Sequence, residues 1–408
     1  MQLNLENLTR FVENDAGFRR RQRLQPIGGP GSTVFPPTYP GEGRDPKPRH
    51  VFEKRRMNGA DIWSVLLDSV QSAANRVEEA LLEEATAGRI KLPYLVVDFT
   101  KTSVPEIGRI TSLDAPHRIY DAILRDSEFD GKPFKKSEVG HRLQVASPSN
   151  ASAILELSPN ALAFGAWNST GEGGGLGAKF PRCLVSEIIG MSVAVRGSSE
   201  VEDPTPGGRR PGSRMDPLGI LKGVQVFKSP TDWSDSQENS TFKKSKPSEI
   251  NHGNIAPSIQ DLGVTMDYAE HTMVITFAGL RRLRFGDDRR NAAARAMLAA
   301  LGLAGHYAQL RQGFALRSRC DLVPEEGAAP LELLHSDGGA ETVDMDYDRA
   351  ISLYNDSVDQ ACAAGFNISM KPTELTPQAK LVYLVEKSRE LALADKGGEA
   401  AEAAGASS

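Results

Sequence analysis

The sequence has few cysteines and no long apolar run, and both absences narrow the class of protein. Only three of its 408 residues are cysteine, Cys183, Cys320 and Cys362, and their wide spacing predicts neither a disulfide framework nor a metal-ligand motif. No apolar run approaches the roughly 20 residues that a membrane-spanning helix needs. The first residues lack a basic segment followed by an apolar core, so we expect no secretion signal. We therefore expect a cytoplasmic protein with no membrane partner.

The composition is that of a globular protein with an uneven distribution of charge. Hydrophobic residues make up 39% and charged residues 25% of the chain, and its length predicts two or three packed units. The net charge is −5, but residues 321–408 contain 17 acidic and 6 basic side chains. Residues 1–60 contain 11 basic against 6 acidic side chains, and residues 279–320 contain 9 arginines against 2 aspartates. Such local basic stripes suit phosphate binding, although each run is also consistent with an ordinary solvated face.

Hydrophobic periodicity predicts alternating strands and helices. We expect a β-hairpin over 51–67 with an Asn58-Gly59 turn, a helix over 70–87 capped by Ser69, and a helix near Pro116 that places Arg118 and Arg125 on one face. The remaining expected strands are 94–99, 155–157, 161–167, 184–195, 264–276, 314–323 and 331–334, and the remaining helices are 292–312, 347–364 and 378–392. Residues 196–250 are rich in Pro, Gly, Ser and charge, which is typical of a long excursion from a core.

The glycine-rich stretch from Gly165 to Lys179 is the most informative local motif. Glycines let a backbone approach a phosphate closely, the amide groups of such loops can bind anions, and an indole offers a stacking face to a base. The stretch lacks the Gly-Lys-Ser/Thr ending of a Walker motif and the spacing of a dinucleotide fingerprint. We interpret it as a nucleic-acid contact, with a flexible hairpin turn as the alternative. Its candidate residues are Trp167, Asn168, Ser169, Thr170, Gly174, Gly175 and Lys179, with Arg182 just beyond.

Three other polar clusters are candidate contacts. Gln71, Ser72, Asn75 and Arg76 lie at a helix start, where phosphate or ribose binding competes with ordinary solvation as an explanation. His117 and Arg118 suit a phosphate contact or an acid/base pair for RNA cleavage. Asn251 and His252 suit a catalytic or metal-binding element, but a polar turn is the favoured interpretation. No paired-carboxylate site, Ser-His-Asp arrangement or zinc motif is present, so we predict no catalytic residue, no metal and no cofactor.

Several longer strings resemble a known family when they are taken in order. They are Arg23-Leu24-Gln25-Pro26, Phe35-Pro36-Pro37-Thr38-Tyr39, residues 67–76, residues 112–119, Phe164-Gly165-Ala166-Trp167-Asn168-Ser169-Thr170, residues 175–180, residues 248–255 and Leu316-Arg317-Ser318-Arg319-Cys320. The sequence resembles the CRISPR-associated RAMP superfamily, and within it the Cas-seven backbone subunit of the type I-G (formerly I-U) Cascade effector complex. The resemblance covers roughly residues 20–325.

The resemblance implies an α+β fold with a modified RNA-recognition-motif (ferredoxin-like) palm, a fingers insertion and a protruding thumb. It implies a non-catalytic antiviral subunit whose copies assemble along a CRISPR RNA, where the thumb of a neighbour displaces bases at intervals. The guide then pairs with a target DNA strand in an R-loop, and the protein reads backbone shape. The implied partners are CRISPR RNA, target DNA, further copies of the chain, the large subunit, the Cas-five/Cas-six type subunit and a recruited helicase-nuclease.

Two other functions remain open at this point. Related RAMP proteins cleave RNA, so an RNA endonuclease using Asp68, Asp114 or His117 is the main alternative. A nucleotide-dependent enzyme that uses the glycine-rich loop is a second alternative.

The resemblance and the residues together give a domain division and a set of RNA contacts. The expected division is an N-terminal arm or loop (1–50), the first part of the palm (51–99), a fingers-type insertion with the glycine-rich loop (100–180), a palm strand (181–195), a thumb-like excursion (196–250), the rest of the palm (251–335), a C-terminal helical region (336–396) and a disordered tail (397–408). The expected RNA-binding residues are Arg20, Arg21, Arg23, Gln71, Ser72, Asn75, Arg76, Arg109, His117, Arg118, Arg125, Trp167, Asn168, Ser169, Thr170, Gly174, Gly175, Lys179, Arg182, Asn251 and His252.

Overall fold

The fold is known from a computed structural model that describes residues 1–41, 49–169, 177–194, 210–214, 217–253, 255–260 and 263–405, with the side chains of 210–214, 255–260 and 393–405 excepted. The helices are α1 (Leu5–Asn14), α2 (Val70–Thr86), α3 (Ala122–Arg125), α4 (Glu138–Gln144), α5 (Ser152–Leu157), α6 (Asn160–Phe164), α7 (Phe277–Arg281), α8 (Asp288–Gln312), α9 (Tyr347–Ala363) and α10 (Ala379–Gly405). Within the described ranges, none of these helices combines the length and the apolar character needed to cross a lipid bilayer.

The chain is a mixed α+β protein, and most of its strands are short. The strands are β1 (Gly17–Pro26), β2 (Phe52–Met57), β3 (Ala60–Asp68), β4 (Leu95–Asp98), β5 (Arg109–Thr111), β6 (Ser127–Phe129), β7 (Lys132–Pro133), β8 (Ala166–Trp167), β9 (Lys179–Phe180), β10 (Leu184–Met191), β11 (Arg210–Arg214), β12 (Val226–Lys228), β13 (Trp233–Ser234), β14 (Lys243–Ser245), β15 (Ile255–Gln260), β16 (Tyr268–Thr276), β17 (Phe314–Arg317), β18 (Cys320–Pro324), β19 (Leu331–Leu334), β20 (Ala340–Val343) and β21 (Thr373–Pro377).

Two compact units divide the chain. The first contains Met1–Lys101, Pro105–Pro206 and Gly263–Gln378, and the second contains Thr102–Val104, Gly207–Leu262 and Ala379–Ser408. The larger unit is built on a nine-stranded antiparallel sheet. Its strand order is β17-β18-β1-β16-β10-β3-β2, with β19 paired to β1 and β20 paired to β19.

Strand β1 lies inside this sheet, which corrects the expectation of an N-terminal arm or loop. It pairs with β16 from Gly17↔Thr276 to Leu24↔Ala269, and with β18 and β19 on its other side. Arg20 and Leu24 are buried, whereas Arg21 is exposed. This alternation is the period of a half-buried strand, and the run of charge concealed it at the level of sequence.

The structure confirms the predicted hairpin of β2 and β3, the predicted helix α2 and the long alanine-rich helix α8. Asn58 and Gly59 have φ of 50° and 82°, as a type I′ turn between β2 and β3 requires. Ser69 caps α2 by accepting a hydrogen bond from the Ser72 amide at 3.2 Å. Helix α8 is buried along most of its length and packs against α2, α1 and α9.

Two glycines allow α8 to approach its neighbours closely. A Cβ atom at Gly302 would lie 2.8 Å from Cδ1 of Ile275 in β16. A Cβ atom at Gly305 would lie 2.6 Å from Cγ1 of Val77 in α2. Such distances are shorter than real carbon contacts, so hydrogen is the side chain that this packing accepts at both positions.

Polar side chains lie in the core between the sheet and α8. Arg20, His271 and His306 are 4%, 2% and 0% exposed, and the Ser186 hydroxyl hydrogen-bonds His271 Nε2 at 2.8 Å. Burial lowers the pKa of His271 to about 3, with the Arg20 charge adding to the effect. Burial also lowers the pKa of His306 well below its usual range. Both imidazoles are therefore neutral near neutral pH.

Two expectations for residues 116–167 are wrong. The helix near Pro116 is instead a 3-10 turn, Arg118–Tyr120, followed by α3, because Arg118 has a left-handed φ of 53° and Asp121 is extended. Arg118 and Arg125 therefore do not share a helix face. The strands expected over 155–157 and 161–167 are mostly α5 and α6, and strand structure is limited to β8. Short, continuously buried apolar runs have no period that separates strand from helix.

The second unit contains two small sheets and α10. β11 pairs with β15, and β12 lies between β13 and β14. Leu218 and Leu221 of this unit are 72% and 75% exposed. Helix α10 extends to Gly405, although we expected a disordered tail from residue 397, because alanine and glutamate in that segment favour helix.

Candidate nucleic-acid interface

The two ends of the glycine-rich stretch are joined by a short hairpin. Ala166 pairs with Phe180 and Trp167 pairs with Lys179, and the Asn168 amide donates to the Ala178 carbonyl at 3.0 Å. Gly165 turns the chain out of α6 with a φ of 86°, and a Cβ atom there would lie 3.2 Å from the Arg182 amide nitrogen. Residues with side chains disfavour both the dihedral angle and the contact, so glycine is required at this corner.

This hairpin forms one wall of a pocket of about 400 Å³. The lining includes Pro116 and Phe164, together with the six residues on which its chemistry depends: His117, Arg118, Gly165, Trp167, Lys179 and Arg182. Five of these were expected RNA contacts from the sequence, and the fold brings them together across more than 60 residues of chain. The volume is sufficient for a small ligand group with a ring and an anion.

Trp167 supplies an exposed aromatic face to the pocket. Its side chain is 48% exposed, and the Lys179 ammonium lies 4.6 Å from the ring centroid in a cation–π contact. Large apolar side chains normally bury more of their surface than this, and stacking on a base is one interaction that an exposed indole favours.

Arg118 stabilises the pocket through a buried network. Its Nε and Nη2 donate to the two carboxylate oxygens of Glu78, each at 2.7 Å, and its Nη1 donates to the Gly165 carbonyl at 3.1 Å. The Asn160 amide also donates to Glu78 at 2.7 Å. Burial raises the pKa of the Glu78 carboxyl, and the Arg118 guanidinium opposes that shift. Arg118 is thus held by protein groups and positions the pocket wall, while its expected contact with RNA stays a prediction.

Arg182 and His117 complete the polar part of the wall. Arg182 Nε donates to the Phe164 carbonyl at 3.0 Å, which fixes the guanidinium beside the pocket. Burial lowers the pKa of Arg182, and the nearby Arg118 charge lowers it further, so an anionic ligand would relieve an unfavourable field. The His117 side chain is exposed, and its backbone amide donates to Asp121 Oδ2 at 3.0 Å. The arrangement can bind an anion and an aromatic ring side by side.

The candidates at the start of α2 divide into two groups. Arg76 donates to Asp68 Oδ2 at 3.2 Å and to the Leu316 carbonyl at 2.6 Å, so it is engaged within the fold. Gln71 and Asn75 are exposed. Ser72 is half-buried, with its amide held by the helix cap.

The arginines of β1 also divide, because a strand alternates its faces. Arg20 is buried with its Nε on the Ala329 carbonyl, and burial lowers its pKa, so its expected RNA contact finds no support in the fold. Arg21 pairs with Glu270 at 2.5 Å. Arg23 lies 4.0 Å from Glu325 and 4.0 Å above the Tyr268 ring centroid. The two exposed arginines form a separate, charge-paired surface.

The other expected contacts lie outside the pocket lining. Arg109 pairs with Glu374 at 2.8 Å, and Arg125 pairs with Asp126 at 2.7 Å. Asn251 and His252 belong to the second unit, where Asn251 has a left-handed φ of 61° and His252 contacts Trp233 edge-on. Asn168 is 8% exposed, and Ser169 is exposed. Thr170, Gly174 and Gly175 lie outside the described residues.

Sequence reasoning missed Glu78, Asn160 and Gly165 as contributors to the site. The available signal was a glutamate on the buried face of α2, between Val77 and Leu81 in the helical period, because a buried carboxylate needs a partner. In the described part of the chain, no three His, Cys, Asp or Glu side chains gather to hold a metal ion.

Comparison with known families supports a CRISPR-associated role. Residues 18–195 match the model of the family described as CRISPR-associated protein GSU0053, a segment that includes nearly all of β1, the whole of α2 and the whole pocket. The match covers less than half of the chain, so it shows what this segment is similar to. No curated protein matches the chain.

Proposed function

We propose that the protein is a non-catalytic RNA-binding backbone subunit of a CRISPR effector complex, of the Cas-seven kind found in type I-G Cascade. The observation that carries the proposal is the pocket in which Trp167, Lys179 and Arg182 meet. A stacking face beside two cations suits a single-stranded nucleic acid, whose bases and phosphates alternate along the strand. The family match gives this chemistry a biological setting, because CRISPR systems work with guide RNA.

The topology supports the proposed RNA-recognition-motif palm. Taken in chain order, β1, α2, β10, β16, α8 and β18 follow the β-α-β-β-α-β order of ferredoxin-like folds. In the sheet, β1 lies between β18 and β16, and β10 follows β16, with every pairing antiparallel. The remaining strands of the large sheet then extend this core at its edges.

The distribution of charge supports assembly of copies along the guide. Residues 321–408 are acidic and the rest of the chain is basic, and this opposition of charge favours head-to-tail contact between copies. In this proposal the assembled guide pairs with a target DNA strand, and the other Cascade subunits and a helicase-nuclease join the complex. The proposed thumb is residues 196–250, most of which belong to the second unit.

The test is to express the chain with a CRISPR array and its neighbouring genes, purify the particle, measure its mass and sequence the nucleic acid inside. We expect a large particle that contains repeat-spacer RNA. The matched variants are Trp167→Ala with Arg182→Met, which should reduce the RNA recovered, and Lys54→Met, a Lys–Trp pair outside the pocket, which should not. A monomer free of nucleic acid would overturn the proposal.

An RNA endonuclease is the second candidate, and the exposed His117 imidazole in the pocket wall is what favours it. The other residues considered for cleavage are engaged elsewhere. Asp68 is 1% exposed and pairs with Arg76, and Asp114 Oδ2 accepts the Thr111 amide at 2.9 Å. If the chain is a nuclease, His117→Ala should abolish cleavage of bound RNA while binding persists. Intact RNA after long incubation with the unsubstituted protein would exclude this candidate.

A further inference from the structure

We propose that Lys179 is a displaceable cap on Trp167. In the free protein its ammonium covers the indole; on binding, a nucleobase takes that face and Lys179 moves to the adjacent phosphate. This inference rests on the proposed binding of single-stranded RNA at the pocket. It assigns the ligand of the pocket as one unstacked nucleobase together with its neighbouring phosphate.

The contact that suggests the cap is specific in its geometry. Lys179 is the cross-strand partner of Trp167, and its Nζ lies 4.6 Å from the ring centroid, within the range of a cation–π interaction. Both side chains line the same pocket. The ammonium therefore occupies space above the indole that a stacked base would need.

The cation is available to move because no carboxylate holds it among the residues that the structure describes. The guanidinium of Arg118 is fixed by Glu78 and that of Arg109 by Glu374, whereas Lys179 has no acidic partner in the described part of the chain. Its four-carbon stem is flexible, and its charge acts as a point that needs no fixed orientation. Stacking of a base on an aromatic ring is stronger than an exposed cation–π contact, so a base can replace the ammonium.

Arg182 behaves differently in the same pocket. Its Nε is tied to the Phe164 carbonyl, so its guanidinium has a fixed position from which to bind a phosphate. Lys179 would supply the second, mobile cation once it leaves the indole. The pocket then favours a ligand that carries both a base and a phosphate, because only such a ligand stacks on Trp167 and also receives the displaced ammonium.

The experiment makes Trp167 the only indole, since the chain has three tryptophans. In a Trp63→Phe/Trp233→Phe background, Trp167 emission is followed on addition of hexauridylate, of an abasic ribose-phosphate hexamer, and of uridine without phosphate. We expect hexauridylate to quench the emission and the abasic hexamer to bind about tenfold more weakly with little quenching. Uridine alone should have little effect, because it must displace a cation and offers no anion in return.

Lys179→Met in the same background removes the cap and so measures its effect on binding. The indole is then uncovered, so uridine should quench Trp167 at concentrations that leave the Lys179 protein unchanged. Hexauridylate should still quench the emission. The salt dependence of its affinity should correspond to about one phosphate contact fewer than in the protein with Lys179. Lys54 lies in the hairpin of β2 and β3, outside the pocket, and it provides the control lysine in this background. Lys54→Met should change none of these readings.

Two results would overturn the cap while leaving RNA binding intact: hexauridylate that binds without changing Trp167 emission, or an abasic hexamer that quenches as strongly as hexauridylate. Failure of the full-length protein to retain hexauridylate at low salt would overturn both the cap and the proposed function.

Discussion

Arg118 connects a buried carboxylate in α2 to the carbonyl of Gly165 at the pocket wall. Its own left-handed φ of 53° is an unusual conformation for a residue with a long side chain, and the three hydrogen bonds to Glu78 and Gly165 hold it there. A change at Glu78 should therefore alter the pocket from a distance, without removing any group that contacts RNA.

Glu78→Gln tests this connection. The amide keeps the shape of the side chain but leaves Arg118, whose side chain is only 12% exposed, without its charge partner. Because breaking a buried ion pair is costly, we expect a loss of about 3 kcal/mol in the free energy of unfolding, measured by urea denaturation. Glu79→Gln, the exposed neighbour on the same helix, is the control and should be nearly neutral. Equal effects of the two substitutions would contradict the role given to Glu78.

Arg182 and Arg76 should respond differently to the same substitution. If two pocket cations contact phosphates, the logarithm of the binding constant for a single-stranded oligonucleotide should fall with the logarithm of the salt concentration with a slope of about −1.4. Arg182→Met should change this slope to about −0.7. Arg76→Met should instead lower the urea midpoint, because it removes the partner of buried Asp68. Anisotropy of a labelled oligonucleotide gives the slope. An unchanged slope for Arg182→Met would remove that residue from the interface.

The buried histidines predict that acid weakens the fold. The pKa of His271 falls from 6.5 to about 3 on folding, so below pH 6.5 the unfolded chain takes up a proton that the folded chain refuses. Its contribution to stability is complete above pH 6.5 and is lost as pH falls toward 3. A hydrogen bond with Asp15 raises the pKa of His335, so its contribution has the opposite sign and is lost as pH rises through the folded pKa.

Urea midpoints across this pH range check both signs. His271→Gln should flatten the loss of stability on acidification, whereas His335→Gln should steepen it. The expectation fails if both variants follow the unsubstituted protein.

Helix α8 illustrates how an element can override intrinsic propensity. Alanine is normally better than glycine inside a helix by about 1 kcal/mol. At Gly305 the added methyl group would collide with Val77, so we expect Gly305→Ala to destabilise the protein by about 1–2 kcal/mol in chemical denaturation. The double variant with Val77→Ala should lose less than the sum of the two single losses. Additive losses would show that the two helices do not meet at this point.

Regular elements were predictable from the sequence where one signal dominated. The Asn-Gly turn, the Ser69 cap and the C-terminal end of α8 each came from local chemistry that tertiary contacts did not alter. β1 was missed because its arginines form a run that occupies both faces of the strand and conceals the alternation of burial. α5 and α6 were missed because full burial removes the period on which sequence patterns rely.

The site was predictable in its residue types and less so in its connections. Trp167, Lys179 and Arg182 follow from the glycine-rich stretch itself, whereas Glu78 reaches Arg118 only through a fold that brings α2 beside the turn after Pro116. Sequence spacing does not encode such long-range pairs. It also cannot separate Arg76, which serves the core, from Arg182, which serves the pocket.

The whole molecule combines an acidic C-terminal region with a basic remainder. If copies meet through these regions, their attraction should weaken as salt screens it, over a Debye length of about 10 Å at 0.1 M. We therefore expect a particle treated with ribonuclease to lose mass as salt is raised, in a measurement by light scattering. A mass that is unchanged by salt would point to apolar contacts between copies instead.

The position of β1 in the sheet has a consequence for synthesis. This strand leaves the ribosome well before its partners, because β16 begins at residue 268 and β19 ends at residue 334. At 5–20 residues per second, β1 waits roughly 12–50 s for β16 to be made. Throughout that interval the nascent chain carries an arginine-rich strand without its neighbours, so the sheet closes only after β16 and β19 have been made.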